Sequence, residues 1–245
     1  MSRVRSGDPD ARRALIAACR DLGRLGLTHG TSGNVSVRCG AGFLVSPTGM
    51  DYGALTVRDI PWVDLEGRWY GPCRPSSEWR FHRDILAARR EVAAIVHAHP
   101  RCATALACTG RGIPAFHYMV AVAGGPDIRC APYHTFGSQA LSDAALGALQ
   151  GRKACLLAHH GIIALGADLP SALKLAGEVE NLAAQYCVAM TLGEARVLDP
   201  DEMARVIEKF RTYGTGAAVD EGLRHAGVKL PSRAPIGSAR RRRRP

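Results

Sequence analysis

Segments with helical periodicity alternate with short strand-like runs along most of this 245-residue chain, and that alternation narrows the folds open to it. Residues 8–25 repeat an apolar side chain every three or four positions, between an aspartate cap at Asp8 or Asp10 and the stop signal Gly26, which predicts a helix. Residues 35–37, 43–45 and 62–64 are short apolar runs broken by glycine, proline and aspartate, so we expect strands joined by turns.

The rest of the chain continues this alternation. Helices are predicted at about 77–90 and around 102–108, where Pro100 precedes the first turn. A third is predicted at 170–192, where one apolar stripe is typical of a long amphipathic helix. Strands are predicted at 94–99 and within 113–123 and 154–165. No internal repeat or domain-sized linker interrupts this order. The pattern therefore predicts one mixed α/β domain whose central sheet carries helices on its faces.

Positive charge is concentrated at the end of the chain. The sequence has 32 basic and 22 acidic side chains, a net charge of +10, and half of that excess lies in the five arginines at 240–244. They follow a stretch rich in proline, glycine and serine, which predicts a disordered tail over residues 231–245 after a catalytic domain of residues 1–230. Because the body has no basic stripe interleaved with aromatic residues, we do not expect a nucleic-acid partner.

Several features favour a cytoplasmic location. No apolar run approaches the roughly 20 residues that a membrane-spanning helix needs, so no membrane partner is expected. The first eight residues lack the apolar stretch of a secretory signal. The eight cysteines are scattered without a Cys-x-x-Cys pair, and we expect them to be reduced.

Two histidine pairs stand at the ends of predicted buried strands. His97 and His99 are two residues apart, so on a strand they share one face while Val96 and Ala98 point into the core. Two imidazoles on one face are half of a typical transition-metal site, although two unrelated surface histidines are the alternative for this pair alone. Of the adjacent His159 and His160, at most one can join the same site, because neighbouring residues on a strand point to opposite faces.

Glycine- and hydroxyl-rich turns are typical of phosphate-binding loops. They occur at residues 30–34 and 46–49, and their backbone N–H groups are suited to an anion, although such turns are common. Ser76, Ser77 and Glu78 precede a predicted helix, where they can serve simply as its cap. The same residues can also form an anion site at the helix start, with Glu78 as a metal ligand or general base.

Taken in order, these motifs resemble the class II aldolase/adducin family, and most closely its L-fuculose-1-phosphate aldolases. The resemblance covers residues 12–214, nearly the whole chain apart from the tail. It is carried by residues 30–36, 46–49, 75–82, 97–99, 113–118, 124–125, 133–137, 159–161 and 208–214. It implies a single three-layer α/β domain with a central mixed sheet covered by helices.

The family likeness also implies roles for individual residues. The metal, Zn²⁺ with Mn²⁺ or Co²⁺ as alternatives, would be held by His97, His99 and His160, with Glu78 as a neighbouring ligand in the resting site and the base during turnover. The substrate phosphate would be held by Asn34, Thr48, Gly49, Ser76 and Ser77. Phe136 and Tyr213 would line the aldehyde pocket, and Tyr118 would be a catalytic residue donated by the adjacent subunit of a C4 homotetramer.

The activity implied by the resemblance is cleavage of a phosphorylated ketose. A ketose 1-phosphate, either L-fuculose 1-phosphate or a 5-deoxy- or 5-methylthio-ribulose 1-phosphate, would give dihydroxyacetone phosphate and an aldehyde. The related pentulose-phosphate 4-epimerases have aspartate where Glu78 stands, which argues against them, whereas dehydratase and decarboxylase members remain alternatives. A non-enzymatic adducin-like protein is least expected, because the three histidines and Glu78 are retained together.

Two positions depart from the L-fuculose-1-phosphate aldolase pattern. Ala98 stands where those enzymes have asparagine, and His134 stands where they have alanine. His134 is either a surface histidine or a substrate contact. In the second case, the substrate need not be L-fuculose 1-phosphate.

Overall fold

An eight-stranded mixed sheet forms the centre of the protein. The computed structural model describes residues 8–212. The strands are β1 (Asn34–Cys39), β2 (Gly42–Val45), β3 (Trp62–Asp64), β4 (Trp69–Tyr70), β5 (Ala94–Ala98), β6 (Cys130–Ala131), β7 (Ala154–Leu157) and β8 (Gly161–Gly166). Their order across the sheet is β4-β3-β2-β1-β5-β8-β7-β6. All neighbouring strands run antiparallel except β6 and β7, which are parallel.

Helices cover both faces of this sheet and confirm the predicted three-layer α/β fold. They are α1 (Pro9–Arg24), α2 (Trp79–Ala88), α3 (Arg101–Cys108), α4 (Gln139–Ala148), α5 (Leu169–Leu192) and α6 (Pro200–Thr212). Helices α1, α3 and α5 form one layer, in which α5 packs on β5 and β8. Helices α2 and α4 pack on each other and against β2, β6 and β7 in the opposite layer.

Strand β5 occupies the interior of the sheet, between β1 and β8. Ile95 faces the apolar cluster that α2 and α4 cover, together with Phe43, Phe81 and Ile163. His97 is fully buried, as are Val96 and Ala98 on the opposite face. The expectation that only Val96 and Ala98 point into a core was therefore incomplete, because helices cover both faces of this strand and His97 is as inaccessible as its neighbours.

Capping residues explain where two of the helices begin. The side chain of Asp8 accepts a hydrogen bond from the Asp10 backbone N–H at 2.8 Å, and Pro9 takes the first helical position of α1. Asp168 caps α5 by accepting from the Ser171 N–H at 2.8 Å, and Ser171 Oγ accepts in return from the Asp168 N–H. Both helices were predicted within two residues of their observed ends.

The strand-like interpretation of residues 113–123 was wrong for most of its length. Ile113 makes only an isolated antiparallel bridge with Ile128, and residues Tyr118–Ala123 form a 3-10 helix that packs on α5. Val120 and Ala123 of this helix are fully buried. An apolar run of this length satisfies either conformation, and packing against α5 decides between them.

A compact unit extends to Ile207 and a second unit begins at Glu208. Of the second unit, the structure describes only residues 208–212 at the end of α6, where Arg211 Nη1 lies 2.8 Å from Glu208 Oε2. The predicted domain end at residue 230 and the arginine-rich tail over 231–245 lie outside the described residues. Within residues 8–212, no helix has the length and apolar character needed to cross a membrane.

Candidate active site

Three histidines from two neighbouring strand ends come together. His97 lies on β5, His99 follows the last residue of that strand, and His160 ends the turn between β7 and β8. The antiparallel register that pairs Ala98 with Ile162 brings the end of β5 beside the start of β8. One nitrogen from each of the three rings lies within 4.8 Å of the others, and Nε2 of His97 is 2.9 Å from Nε2 of His99.

His159 stays outside this group, as the rule of alternating faces predicts for one member of the pair. It is the one non-glycine residue among residues 8–212 with a positive φ, 56°, which turns the chain sharply between β7 and β8. Its exposed ring meets the edge of Tyr133 with the ring centres 5.9 Å apart.

Glu78 is the buried carboxylate against which the histidines lie. Its Oε2 is 3.1 Å from His97 Nε2, and its Oε1 is 3.3 Å from His160 Nε2. Asn34 Nδ2 donates to Oε2 at 2.9 Å. Oε1 is buried and has no hydrogen-bond partner within the described chain. This unpartnered oxygen, together with three imidazoles, is a donor set that fits a divalent transition metal.

Burial and mutual charge set the protonation of this cluster. Burial would raise the pKa of Glu78, but His97 and then His160 and Asn34 outweigh it and hold that pKa well below its usual range. Burial would lower the pKa of His97, but the adjacent Glu78 carboxylate raises it. Burial followed by the charge of His97 lowers the pKa of His99 to about 3 and that of His160 to about 4. Glu78 is therefore anionic, and His99 and His160 are neutral, as metal ligands must be.

A backbone contact orients the most deeply buried of the three rings. His97 Nδ1 donates to the Ile162 carbonyl oxygen at 2.8 Å. Because Nδ1 is occupied by this contact, Nε2 is the nitrogen that faces Glu78 and His99 and that would bind a metal. The sheet register thus fixes which nitrogen of His97 is presented to a metal.

A cavity of about 330 Å³ opens above Glu78, His99 and His160. The predicted substrate residues that line it are Asn34, Thr48, Gly49, Ser76, Ser77 and Phe136. Two of the turns are held together by main-chain bonds, since the Ser76 N–H donates to the Ser46 carbonyl at 2.9 Å and the Thr48 N–H donates to the Arg74 carbonyl at 3.2 Å. No lysine or arginine within residues 8–212 lines this cavity.

Gly33 lets the first turn approach the metal-site strand. Its φ is +83°, and a Cβ built on it would lie 2.8 Å from the carbonyl oxygen of His97. Both conditions exclude a side chain without rearrangement. The glycine-rich turn therefore fits against β5, which brings the neighbouring Asn34 beside Glu78.

Two predicted site residues are placed elsewhere or lie outside the described region. Tyr118 is about half exposed, stacks on His117 with ring centres 4.8 Å apart, and is not among the residues lining the cavity of its own chain. Tyr213 lies outside the described residues. The predicted catalytic role of Tyr118 in the site of an adjacent subunit stays a prediction.

Sequence reasoning missed other parts of the site. Tyr133 and His159 line the cavity, and His134, for which two interpretations stood open, lines it as well and is half-buried. His82 and Ser36 are fully buried in the hydrogen-bond network behind Asn34. One signal was available for His82, because it follows Glu78 by four residues and so lies one helical turn away.

Comparison with known proteins agrees with this geometry. The profile described as "Class II Aldolase and Adducin N-terminal domain" matches residues 13–187. The chain belongs to the class II aldolase and adducin family. This confirms the resemblance inferred from the motifs, and with it an aldolase site that depends on a metal ion.

Individual relatives support the same assignment. A 5-methylthioribulose-1-phosphate/5-deoxyribulose-1-phosphate aldolase of Rhodospirillum rubrum is 57% identical over 84% of this chain and 93% of its own length. An L-fuculose phosphate aldolase of Escherichia coli strain K12 is 47% identical over 82% and 94%. A solved structure titled L-fuculose 1-phosphate aldolase superposes with a TM-score of 0.80 at 40% identity, covering 82% of this chain and 96% of the other.

The adjacent histidines provide a matched test of this class II aldolase metal site. We expect His160→Ala to lose most of its tightly bound metal, because one of three imidazole ligands is removed. His159→Ala, the same truncation one residue earlier, should retain the metal content of the wild type. Elemental analysis after dialysis measures both, together with the rise in melting temperature on adding Zn²⁺. Metal loss in both variants, or in neither, would contradict the assignment.

Proposed function

We propose that this class II aldolase cleaves a ketose 1-phosphate between C3 and C4, releasing dihydroxyacetone phosphate and an aldehyde. The observation that carries the proposal is the buried Glu78 carboxylate, which contacts His97 and His160 at the floor of a hydroxyl-lined cavity. The preferred substrates are 5-deoxyribulose 1-phosphate and 5-methylthioribulose 1-phosphate, with L-fuculose 1-phosphate as the second candidate. The order follows the relatives, of which the methylthioribulose enzyme is the more similar at 57% identity against 47%.

His97, His99 and His160, with Glu78 beside them, are the residues that would hold the metal. Three imidazoles favour Zn²⁺, and Mn²⁺ and Co²⁺ accept the same ligands. When bound, a divalent cation supplies Lewis-acid stabilisation of the negative charge that develops on the enediolate. A Schiff-base lysine is then unnecessary, which agrees with the absence of lysine from the described lining of the cavity.

Glu78 is suited to move the proton at C3. In the synthesis direction its carboxylate removes a proton from C3 of dihydroxyacetone phosphate, and the aldehyde oxygen takes up a proton as the C3–C4 bond forms. In the cleavage direction the C4 hydroxyl gives up its proton as that bond breaks, and the protonated form of Glu78 delivers a proton to C3 of the enediolate. The anionic state that His97 and His160 maintain provides the base form. Oε1, buried without a hydrogen-bond partner in the described chain, has a lone pair available for the proton.

Neutral donors would bind the phosphate. Thr48, Ser76 and Ser77 supply hydroxyl groups along the cavity wall, and Asn34 and Gly49 complete the proposed pocket. Backbone N–H groups at glycine turns and at the start of α2 add further donors to an anion. A pocket of this kind recognises phosphate without a charged side chain.

Aromatic side chains also line the cavity. Phe136 and Tyr133 are both more than half exposed where they line it, and His134 lies between them in sequence. The C5 methyl group of 5-deoxyribulose 1-phosphate, or the methylthio group on C5 of 5-methylthioribulose 1-phosphate, would contact these rings, which removes apolar surface from water. These rings suit the 5-deoxy and 5-methylthio substrates, and Tyr213 is proposed to contribute to the same aldehyde pocket.

Assembly into a C4 tetramer would complete each site. Tyr118 lies outside the cavity of its own chain with about half of its surface exposed, as a residue donated to a neighbour would. A head-to-tail interface that closes into a ring gives four equivalent sites, each with a tyrosine from the next subunit. There Tyr118 would protonate or stabilise the aldehyde oxygen. The eight unpaired cysteines are in keeping with the reducing cytoplasm that we propose as its location.

A substrate panel combined with a Glu78 variant tests the reaction itself. Wild-type enzyme should release dihydroxyacetone phosphate, measured by coupled NADH oxidation, with a higher kcat/KM for 5-deoxy- and 5-methylthio-ribulose 1-phosphate than for L-fuculose 1-phosphate. Glu78→Gln should lower kcat by about 10²- to 10⁴-fold because the proton acceptor is lost while the side-chain shape is kept. Wild-type turnover in the folded variant would show that Glu78 is not the base.

The phosphate pocket has its own test. Ser76→Ala should raise KM for the phosphorylated ketose by roughly 10-fold, since a hydrogen bond to a charged group contributes about 1.5–3 kcal/mol. The unphosphorylated sugar provides the comparison within the same enzyme, and its KM should not change. An equal change for both sugars would place Ser76 outside the phosphate pocket.

Subunit complementation tests the role of Tyr118. Glu78→Gln and Tyr118→Phe should each be nearly inactive alone. Mixed rings contain interfaces where a wild-type Glu78 meets a wild-type Tyr118 from the next subunit, so random mixing should restore roughly one quarter of the sites. Mass spectrometry verifies the mixed tetramers. If such tetramers stay inactive, Tyr118 acts within its own subunit or not at all.

A further inference from the structure

A buried chain of polar side chains leads away from the catalytic carboxylate into the protein. Its members are Ser36 and Asn34 on one face of β1, Glu78 immediately before α2, and His82 in the first turn of α2. Ser36 and His82 have no exposed surface, and Asn34 and Glu78 are 4% and 6% exposed. The reaction proposed above assigns no role to Ser36 or His82. Burying polar side chains lowers stability unless hydrogen bonds compensate for the lost contact with water.

The hydrogen bonds that link these four side chains have one consistent direction. Ser36 Oγ and His82 Nδ1 are 2.7 Å apart, and His82 Nε2 is 2.6 Å from Asn34 Oδ1. Asn34 Nδ2 is 2.9 Å from Glu78 Oε2. An anionic carboxylate only accepts, so the Asn34 amide nitrogen must face it and the amide oxygen must face His82. His82 then donates from Nε2, and its bare Nδ1 accepts the single hydrogen of the Ser36 hydroxyl.

The direction of these hydrogen bonds fixes the orientation of the Asn34 amide. An asparagine amide can otherwise be turned end for end with little change in shape. Turned, Asn34 would set its oxygen against the carboxylate at a distance where two acceptors repel. The Ser36 hydroxyl, by donating to Nδ1, keeps the hydrogen of His82 on Nε2. That N–H opposes the turn, because it requires an acceptor at the Asn34 position. Burial lowers the pKa of His82 to about 3, so the ring is neutral and has one donor and one acceptor.

We propose that His82 and Ser36 are positioning residues that orient the Asn34 amide toward Glu78, so that Oε2 is held and Oε1 is left to exchange the proton with substrate. The inference rests on the proposed function, in which Glu78 moves the C3 proton. One N–H of Asn34 holds Glu78, and its second N–H remains free for the phosphate pocket. His82 acts through Asn34 and touches no reacting atom.

Two substitutions at one position separate positioning from packing. His82→Leu removes the donor to Asn34 and keeps an apolar side chain in the buried space. His82→Gln keeps an amide N–H at nearly the reach of Nε2. We expect His82→Leu to lower kcat by about 10- to 100-fold with KM within about threefold of wild type, and His82→Gln to recover most of the loss. Ser36→Ala should have a smaller effect in the same direction.

A double mutant shows whether His82 works through Asn34. Adding His82→Leu to Asn34→Ala should cause no further loss of kcat, because the amide through which it acts is already gone. Ser142→Ala is the matched control for removing a buried serine hydroxyl, since Ser142 is fully buried and donates to Asp84 Oδ2 at 2.6 Å. It should leave kcat unchanged.

The base step can be measured directly, without any aldehyde, as exchange of the C3 proton of dihydroxyacetone phosphate with solvent. Loss of exchange in His82→Leu and its recovery in His82→Gln support the proposal. The proposal is overturned if folded His82→Leu keeps the wild-type kcat and exchange rate. It is also overturned if the losses of kcat from His82→Leu and Asn34→Ala add in the double mutant, or if His82→Leu raises KM without lowering kcat. If His82→Leu does not fold, the Ser36→Ala and Ser142→Ala pair decides.

The outcome is distinct from that of the proposed function. If the wild-type enzyme exchanges the proton but cleaves none of the three sugar phosphates, the assigned substrate is wrong. The exchange rates of the His82 and Ser36 variants still test the positioning role in that case. If the wild type neither exchanges nor cleaves, the proposed function fails. Neutron crystal structures of the wild type and His82→Leu, which distinguish the amide nitrogen from its oxygen, then decide the inference: a turned Asn34 amide without its N–H contact to Glu78 supports it, and an unchanged contact overturns it.

Discussion

The site depends on one interaction, the buried carboxylate of Glu78 held against His97 and His160. Taking a carboxylate out of water is unfavourable unless charge and hydrogen bonds compensate, and here two imidazoles and the Asn34 amide do so. The arrangement brings together a residue at the start of α2, the interior strand β5 and the turn before β8. The sheet order and the layer containing α2 must therefore be correct before the site exists.

The positions of these elements also separate the charged groups of the site from its neutral hydrogen-bond donors. The histidines converge from the ends of adjacent strands, while the hydroxyl-bearing turns surround the other side of Glu78 and form the cavity wall. Charge is therefore concentrated at the floor, and neutral donors occupy the walls, where a substrate phosphate would lie. The cavity has no lysine or arginine lining within residues 8–212. A lysine or arginine there would pair with the Glu78 carboxylate and lower its pKa further, which would weaken it as the proposed base.

Behind the site, polar side chains continue into the interior rather than ending at Glu78. His82 and Ser36 are fully buried, at positions where apolar residues would need no hydrogen-bond partner. A network whose members are all partnered specifies one orientation of each group. The carboxylate is thus constrained from behind by Asn34, while the side toward the histidines and the cavity remains available for chemistry.

Much of this protein follows from its sequence alone. Periodicity predicted α1, α5 and the strands that carry the site, and the ordered motifs identified the family, because these signals depend on local spacing and residue type. The tertiary structure decided the rest. Residues Tyr118–Ala123 form a 3-10 helix through packing on α5, and His82 meets Asn34 across 48 positions of chain. The turn before β8 brings His160, which the family resemblance had already selected, to the other histidines. Such contacts arise from the sheet register and from how α2 lies on it, and local sequence encodes neither.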